Sequence, residues 1–391
     1  MKRVNLIRGL FILVIAGFFG YRLFEGGGLV YPVLTVGLGL LGLLSLLDRL
    51  SARWQTLGLN LGISLFFLDL VFAEIDLSQV WQAIVNADYV LLALSMAIMV
   101  LHIYFRTLRW QWLLKPLGEV SFWPAWRALL IGITGNTFLP ARAGEFLRAY
   151  VLGRSTGLSK TGVFATLVVE RIFDGLTILF VLLAVIVLGV RDPQLQTVGL
   201  IGGVFYLGVM VGLFLFMTKR HWVDLLIHKF LPTHLADKVL DLLDNFANGL
   251  AVLKNPKQLA MVTLWNMLTW VFVPISMWLT LLALDFGSPV PWQAPVLMLP
   301  VMALGLTVPA APGGVGLVQA AVKLTLDITL PAAASFKESI AAASLLIHFT
   351  QFAPEVIPGV FCFLYEGLST SDLKAGQLSN EPSPVLAKSL E

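Results

Sequence analysis

The feature that most restricts what this chain can fold into is the recurrence of long, mostly apolar runs, at about residues 9–24, 29–47, 57–72, 89–108, 163–189, 197–217, 259–284 and 339–364. A helix needs about 20 such residues to cross the hydrocarbon core of a bilayer. A soluble core has no use for so many of them: 58% of the residues are hydrophobic and only 13% are charged. The chain therefore reads as an all-α polytopic membrane protein with about eight transmembrane helices. The first run follows the basic stretch MKRVNLIR, as in a signal peptide, but leads into FEGGG without a small-residue cleavage site, and so reads as a retained helix.

The formal net charge is +3. Its basic residues are spread between the apolar runs and form no separate basic domain, so no nucleic-acid partner is expected. Cys362 is the only cysteine and lies inside an apolar run, which excludes an internal disulfide, a CxxC redox pair and a thiolate metal cluster.

Two further apolar runs, about 124–153 and 292–328, are broken in the middle by proline and glycine. Their topology follows from the rule that short loops rich in Lys and Arg stay cytoplasmic. With the N-terminus inside, nineteen Lys and Arg residues, Arg106 and Arg109 among them, fall on the cytoplasmic side, against Arg22, Arg191 and Lys337 outside. That asymmetry holds only if each broken run enters and leaves on the same side. Both then read as re-entrant hairpins, with the two termini cytoplasmic and the protein in the cell membrane. The alternative is that proline and glycine merely kink two spanning helices.

The two broken runs share one grammar. WPAWRALLIGITGNTFLPARAGEFLRAYVL and WQAPVLMLPVMALGLTVPAAPGGVGLVQAAVKL each give a tryptophan, an apolar half-helix, a Leu/Val-Pro-Ala break, a glycine and a second half-helix. Pro140 corresponds to Pro309 and Gly144 to Gly313. By the charge count the hairpins enter from opposite sides, which makes an inverted repeat. Discontinuous helices in matching positions of two halves mark a transporter's binding site, and broken backbone at membrane depth is tolerated only where protein or water satisfies it.

Charges gather at the first break and in the span after it: Arg142, Glu145 and Arg148, then Glu170, Arg171 and Asp174. An arginine at the bilayer centre costs about 2.5–3.5 kcal/mol on insertion scales, so these must be paired or wet. Glu145 and Arg148 are three apart, Arg171 and Asp174 three, Glu170 and Asp174 four, so each pair shares a helix face. Two jobs fit. The carboxylates can lock the hairpin to the next span, or the arginines can offer guanidinium forks to a phosphate, aided by free backbone N–H groups where the second half-helix starts. In the second hairpin Gly313, Gly314 and Gly316 permit close backbone approach, and Lys323 supplies a cation that Asp327 at i+4 can neutralise. His348 and Glu355 in the last run are candidates for proton coupling. A lone histidine there, like His102, is more often a packing residue.

Residues 221–257 place apolar residues at helical spacing with Lys and Asp between them, as in an amphipathic helix on the membrane surface or a linker helix packed on the bundle. Residues 366–391 are rich in Ser, Pro, Glu and Lys and read as a disordered cytoplasmic tail. GRSTGLSKTG lacks the G-x-x-x-x-G-K-[ST] pattern, and there is no HExxH, no GxSxG and no acidic metal cluster. No ATPase or hydrolase chemistry is expected, nor a cofactor or metal.

The stretches NTFLPARAGEFLRAYVL, VVERIFDGL and PGGVGLVQ, in this order, resemble the integral membrane region of the lysylphosphatidylglycerol synthetase/flippase family in its stand-alone form, over about residues 55–365. The resemblance implies movement of a lipid between leaflets, in the best-known members an aminoacylated phosphatidylglycerol. It places Arg142, Glu145, Arg148, Glu170, Arg171 and Asp174 on the family's motif positions. The soluble aminoacyl-transfer part finds no counterpart, so lipid synthesis is not implied. Residues 1–54 then form an extension of two transmembrane helices on a flippase-like core at 55–365. The expected function is a transporter of an anionic or aminoacylated phospholipid or related lipid, alone, as a homo-oligomer or beside a lipid-synthesising enzyme. Two rivals remain: a proton-coupled transporter of a small soluble anion, and an accessory protein or enzyme handling a polyprenyl-phosphate or glycolipid.

Overall fold

The computed structural model describes residues 2–26, 28, 30–139 and 143–187, scattered positions between 197 and 252, and residues 254–287, 289–308, 311–330 and 333–368. Among the described residues the regular structure is helical, with no strand. The helices are α1 (Lys2–Phe24), α2 (Val30–Leu46), α3 (Ala52–Phe72), α4 (Leu77–Val85), α5 (Tyr89–Leu114), α6 (Phe122–Phe138), α7 (Gly144–Thr156), α8 (Lys160–Val187), α9 (Pro256–Leu282), α10 (Gln293–Gly305), α11 (Leu317–Thr329) and α12 (Lys337–Tyr365).

Five described stretches are long and apolar enough to cross a membrane: Val4–Phe24, Ala52–Phe72, Tyr89–Leu114, Pro256–Leu282 and Ala333–Tyr365. Val30–Leu46 and Gln293–Gly305 are shorter apolar helices. This is the framework of a multi-pass membrane protein. The apolar runs of the sequence fall on α1, α2, α3, α5, α8, α9 and α12, and each broken run resolves into two helices, α6 with α7 and α10 with α11. Most of the run at 197–217, most of the amphipathic stretch at 221–257 and the tail from 369 lie outside the described residues. Helix α4 has no counterpart in the hydropathy. It is only 9 residues long and starts at Asp76, whose side chain accepts from the Ser78 N–H at 2.9 Å and from its hydroxyl at 2.7 Å. Those donors hold the Asp76 carboxyl below the usual carboxylate range.

The chain divides into two compact units built from discontinuous segments. One comprises Met1–Asp88, Leu281–Ala294 and Val301–His348; the other comprises Tyr89–Thr280, Pro295–Pro300 and Phe349–Glu391.

In the first unit α1 and α2 pack closely, since a Cβ on Gly42 would lie 2.7 Å from Leu13 and one on Gly9 3.1 Å from the Leu46 backbone nitrogen. Both helices pack on α3 through a core of Ile12, Ile15, Ala16, Phe19 and Leu38, with Phe66 of α3 edge-on to Phe18 at 4.7 Å. A polar tie sits beside that core: Asp69 of α3 accepts from Arg22 Nε at 2.9 Å and from the Tyr31 hydroxyl at 2.5 Å. The N-terminal helices are therefore part of this unit's packing.

Candidate functional site

The second unit contains a cluster of charges buried among apolar helices, and it is built on glycine. Helices α6 and α7 approach so closely that a Cβ on Gly144 would collide with the Gly132 carbonyl oxygen and the Asn136 nitrogen, and one on Gly135 would lie 2.9 Å from the Gly144 Cα. A Cβ on Gly132 would come within 2.7 Å of the Arg148 Cβ. On another side of α6, a Cβ on Gly359 of α12 would meet the Leu130 carbonyl oxygen at 2.6 Å. Small residues at these crossings bring α7 close enough for Arg148 to reach across to α8.

Glu170 of α8 is the hub, with its side chain wholly buried. Arg148 grips it as a fork, Nη1 to Oε1 at 3.1 Å and Nη2 to Oε2 at 2.9 Å. Arg106 of α5 donates to Oε1 through Nε and Nη2, both at 3.2 Å, and Arg109 Nη2 lies 3.1 Å from the same oxygen. Asp174, one turn on, takes Arg109 Nη1 at 2.6 Å and the Trp270 indole N–H at 2.9 Å on Oδ1, with Arg171 Nη1 at 3.4 Å from Oδ2. Glu145 of α7 accepts from Arg171 Nη2 at 2.9 Å and from the Asn136 amide at 3.1 Å. Arg109 also donates to Asn266 of α9, whose own amide donates to Thr177 at 2.6 Å. The Arg148 guanidinium lies 3.7 Å over the Trp110 ring.

Two properties of this arrangement set what it can do. Among the described residues four guanidiniums, those of Arg106, Arg109, Arg148 and Arg171, meet three carboxylates, those of Glu145, Glu170 and Asp174, which leaves one positive charge in excess. The guanidiniums also differ in access: the Arg109 and Arg148 side chains are 1% and 2% exposed, that of Arg171 43%. Arg171 is the cation that meets the surroundings, and the others hold the frame.

The sequence reading named five members of this cluster: Glu145, Arg148, Glu170, Arg171 and Asp174. One expected local pair forms, Arg171 with Asp174. The expected Glu145–Arg148 pairing gives way to contacts between helices, Glu145 with Arg171 and Arg148 with Glu170. Arg106 and Arg109 were assigned as topology charges at the cytoplasmic ends of spans; their side chains, 14% and 1% exposed, are instead inside the cluster. Their spacing of three on one face of α5 was the signal available. Pro140, Arg142 and Pro309 lie outside the described residues.

The remaining described candidates other than Glu355 fall in the first unit. Gly313, Gly314 and Gly316 have φ of 76°, 70° and 88°, the left-handed region that disfavours side chains. A Cβ on Gly316 would collide with the Ser64 carbonyl oxygen of α3. The Ala311 N–H donates to the Ser64 hydroxyl at 2.8 Å, and the Gly316 N–H to the Gln319 side chain at 2.7 Å. Gln319 in turn bonds the His348 ring at 2.9 Å, so the glycine break is fastened to α3 and α12. Lys323 pairs with Asp327 on an exposed face, with side chains 36% and 40% exposed. Such a pair contributes about 0.5 kcal/mol or less, so Lys323→Gln is expected to leave denaturant unfolding within about that margin of wild type. Glu355 of α12 belongs to the second unit, where its Oε1 lies 3.9 Å from His102 Nε2.

Comparison with known proteins adds family context. The family described as the lysylphosphatidylglycerol synthase TM region matches residues 55–359. The glycosyltransferase AglD of Haloferax volcanii is 28% identical over 350 residues, covering 81% of this chain and 55% of AglD, so the chain spans little more than half the length of that relative. A UPF0104 membrane protein of Methanocaldococcus jannaschii is 25% identical over 240 residues, covering 57% of this chain and 71% of that protein. No solved structure matches the chain.

Proposed function

The chain belongs to the lysylphosphatidylglycerol synthase transmembrane-region family, and from that premise we propose that it carries an anionic or aminoacylated phospholipid, or a related lipid, between leaflets of the cell membrane. The observation that supports this reading most directly is the half-exposed Arg171 on a buried frame that, among the described residues and with Glu355 protonated, carries one surplus positive charge. A surplus charge among apolar helices is costly until an anion offsets it, and a guanidinium suits a phosphate oxygen. Glu170 fixes the neighbouring arginines so that Arg171 need not be positioned by the ligand, while Glu145 and Asp174 can exchange their share of it for a phosphate. Arg142, in the adjoining break, is the second guanidinium of this proposal. A cationic aminoacyl group would face the carboxylates Glu145 and Asp174.

In this reading the two broken runs are opposed re-entrant hairpins, and both termini are cytoplasmic. The half-helices of 17 and 13 residues, and of 13 and 13, support it. At about 1.5 Å per residue the 13-residue halves fall well short of a hydrocarbon core of about 30 Å, and the 17-residue half stands at the lower limit of a span. In this reading the chain acts as a carrier and not as an enzyme. A second form of the reading draws on AglD, which is named a glycosyltransferase: the cargo or ligand is then a glycolipid or polyprenyl-phosphate, recognised through the same phosphate chemistry.

The test is reconstitution into liposomes with fluorescent lipids of different headgroups, following their exposure to an impermeant quencher. Wild type is expected to move phosphatidylglycerol or a phosphate-bearing lipid selectively. Arg171→Ala should move it about 10–100-fold more slowly at equal folding, the value of a hydrogen bond to a charged group. Movement at the wild-type rate by the variant would remove Arg171 from the site, and no headgroup-selective movement by wild type would remove the carrier function.

A further inference from the structure

His102, which is buried, and Glu355, whose side chain is 17% exposed, are an ionisable pair that the lipid reading leaves unused. His102 sits on α5, 5% exposed, one turn before Arg106. Its Nδ1 lies 2.8 Å from the Thr269 carbonyl oxygen of α9. A carbonyl can only accept, so Nδ1 carries the proton and the neutral ring turns a lone pair on Nε2 outward. That lone pair faces Glu355 Oε1 at 3.9 Å, just beyond hydrogen-bond reach of about 2.7–3.2 Å. Two groups that accept protons, with no donor between them, make a proton-binding site. Glu355 lies in a turn of α12 flanked by Pro354 and Pro358. Neither proline has an N–H, so two bonds of the helix ladder are missing around Glu355.

The surrounding charges give that proton a consequence. Arg106 and Arg109 on the same helix and Asp174 on α8 act on His102, while Arg106 and Arg171 act on Glu355; Thr269, from α9, is uncharged. Arg106 and Arg109 in turn hold Glu170. Among the described residues, four arginines against Glu145, Glu170 and Asp174 leave one positive charge, and an ionised Glu355 cancels it. An ionised Glu355 and a lipid phosphate therefore compete for the same surplus charge.

We propose that His102 and Glu355 bind one proton together, and that this proton frees the arginine cluster to take one anionic headgroup, so that lipid and proton bind as a pair. The inference rests on the lipid-carrier reading. In the step, one proton from the aqueous phase joins the Nε2 lone pair or the Glu355 carboxylate and forms the missing bridge, Nε2–H···Oε1 in the first case and Oε1–H···Nε2 in the second. The cluster regains its surplus positive charge, and the phosphate neutralises it. No other bond forms or breaks. His348 does not suit this role, because its ring is engaged by Gln319 in fastening the glycine break.

By linkage, an anion that favours the protonated pair binds more tightly at low pH, and the affinity is lost as pH rises through the pair's titration in the complex. The experiment is calorimetric titration of the full chain in detergent with short-chain phosphatidylglycerol, across pH and in buffers of different ionisation enthalpy. Zwitterionic phosphatidylcholine and inorganic phosphate serve as comparison ligands. Wild type is expected to take up as much as one proton with phosphatidylglycerol, to bind it up to about tenfold more weakly per pH unit of increase, and to take up none with phosphatidylcholine. Glu355→Gln, which cannot ionise, should bind phosphatidylglycerol independently of pH and more tightly than wild type at high pH, a gain that misfolding cannot produce. His102→Gln should reduce the proton uptake. Phosphatidylglycerol binding without proton uptake, or a Glu355→Gln variant with the wild-type pH dependence, would overturn the proposal and leave the lipid reading standing. Binding of inorganic phosphate but not of phosphatidylglycerol, with a proton uptake that Glu355→Gln abolishes, would support the pair and overturn the lipid reading. Binding of neither anion would overturn both.

Discussion

Glu170→Gln is expected to lose about 3–5 kcal/mol of folding stability, the cost of removing one partner from a buried ion pair. The substitution keeps the shape of the side chain and removes only its charge. Glu170 is wholly buried and meets Arg148, Arg106 and Arg109 within 3.2 Å. With a neutral amide in its place, three guanidiniums face one another, of which only Arg109 keeps an ion pair, to Asp174, and the amide NH2 points a donor at donors. The cluster's existence is not itself a source of stability, since burying so many charges costs much of what their attraction returns. The asymmetry lies in breaking it. Thermal or denaturant unfolding in one detergent, with equal cooperativity for both proteins, measures the difference. A Glu170→Gln variant within about 1 kcal/mol of wild type would mean that the guanidiniums are individually solvated and that Glu170 is not their hub. A double-mutant cycle with Arg148→Met should give a coupling within the range of about 0.5–3 kcal/mol found for contacting residues.

What the sequence disclosed of this site follows from the range over which sequence patterns act. Hydropathy is additive along a segment, so the runs that became α1, α3, α5, α9 and α12 were legible, though the start of α1, the start of α3 and the end of α5, where charged and polar residues extend the helix, were missed by five to seven residues. The 9-residue α4 was not, because its signal is a capping aspartate rather than a long apolar stretch. Helical periodicity reports neighbours three and four apart, which is why Arg171 with Asp174 was legible. The pairs formed by Arg106 and Arg109 with Glu170 and Asp174 join α5 to α8, and the local signal, a spacing of three on one face of α5, does not tell what that face meets. The halves of the broken runs were legible from proline and glycine. The partners that require the glycine, Asn136 and the Gly132 backbone for Gly144 and Ser64 for Gly316, belong to tertiary packing. His102 illustrates the limit most plainly: its tautomer is set by the Thr269 carbonyl, 167 positions away.

Gly144→Ala is the second large effect, expected to cost at least about 3 kcal/mol, at the upper end of what overpacking a filled interior costs. The added methyl has nowhere to go. It is directed at the Gly132 carbonyl oxygen and the Asn136 backbone nitrogen, and backbone cannot rotate out of the way as a flexible side chain can. The α6–α7 crossing must open, and with it the path by which Arg148, four residues along α7, reaches Glu170. Gly17→Ala provides the control with the same chemical change. Gly17 lies within α1 and a Cβ there meets nothing within 4 Å, so alanine should be neutral or stabilising by up to about 1 kcal/mol through helix propensity alone. Unfolding of the three proteins under one condition checks both signs, and a Gly144→Ala protein as stable as wild type would mean that α6 and α7 are not in contact. Gly132→Ala separates packing from chemistry. Its methyl presses on the Arg148 side chain at 2.7 Å rather than on backbone, so the strain falls on the arginine that grips Glu170 before it falls on the hairpin. The glycines of α6 and α7 thus act on the charge cluster without carrying any charge, by setting how far Arg148 must reach.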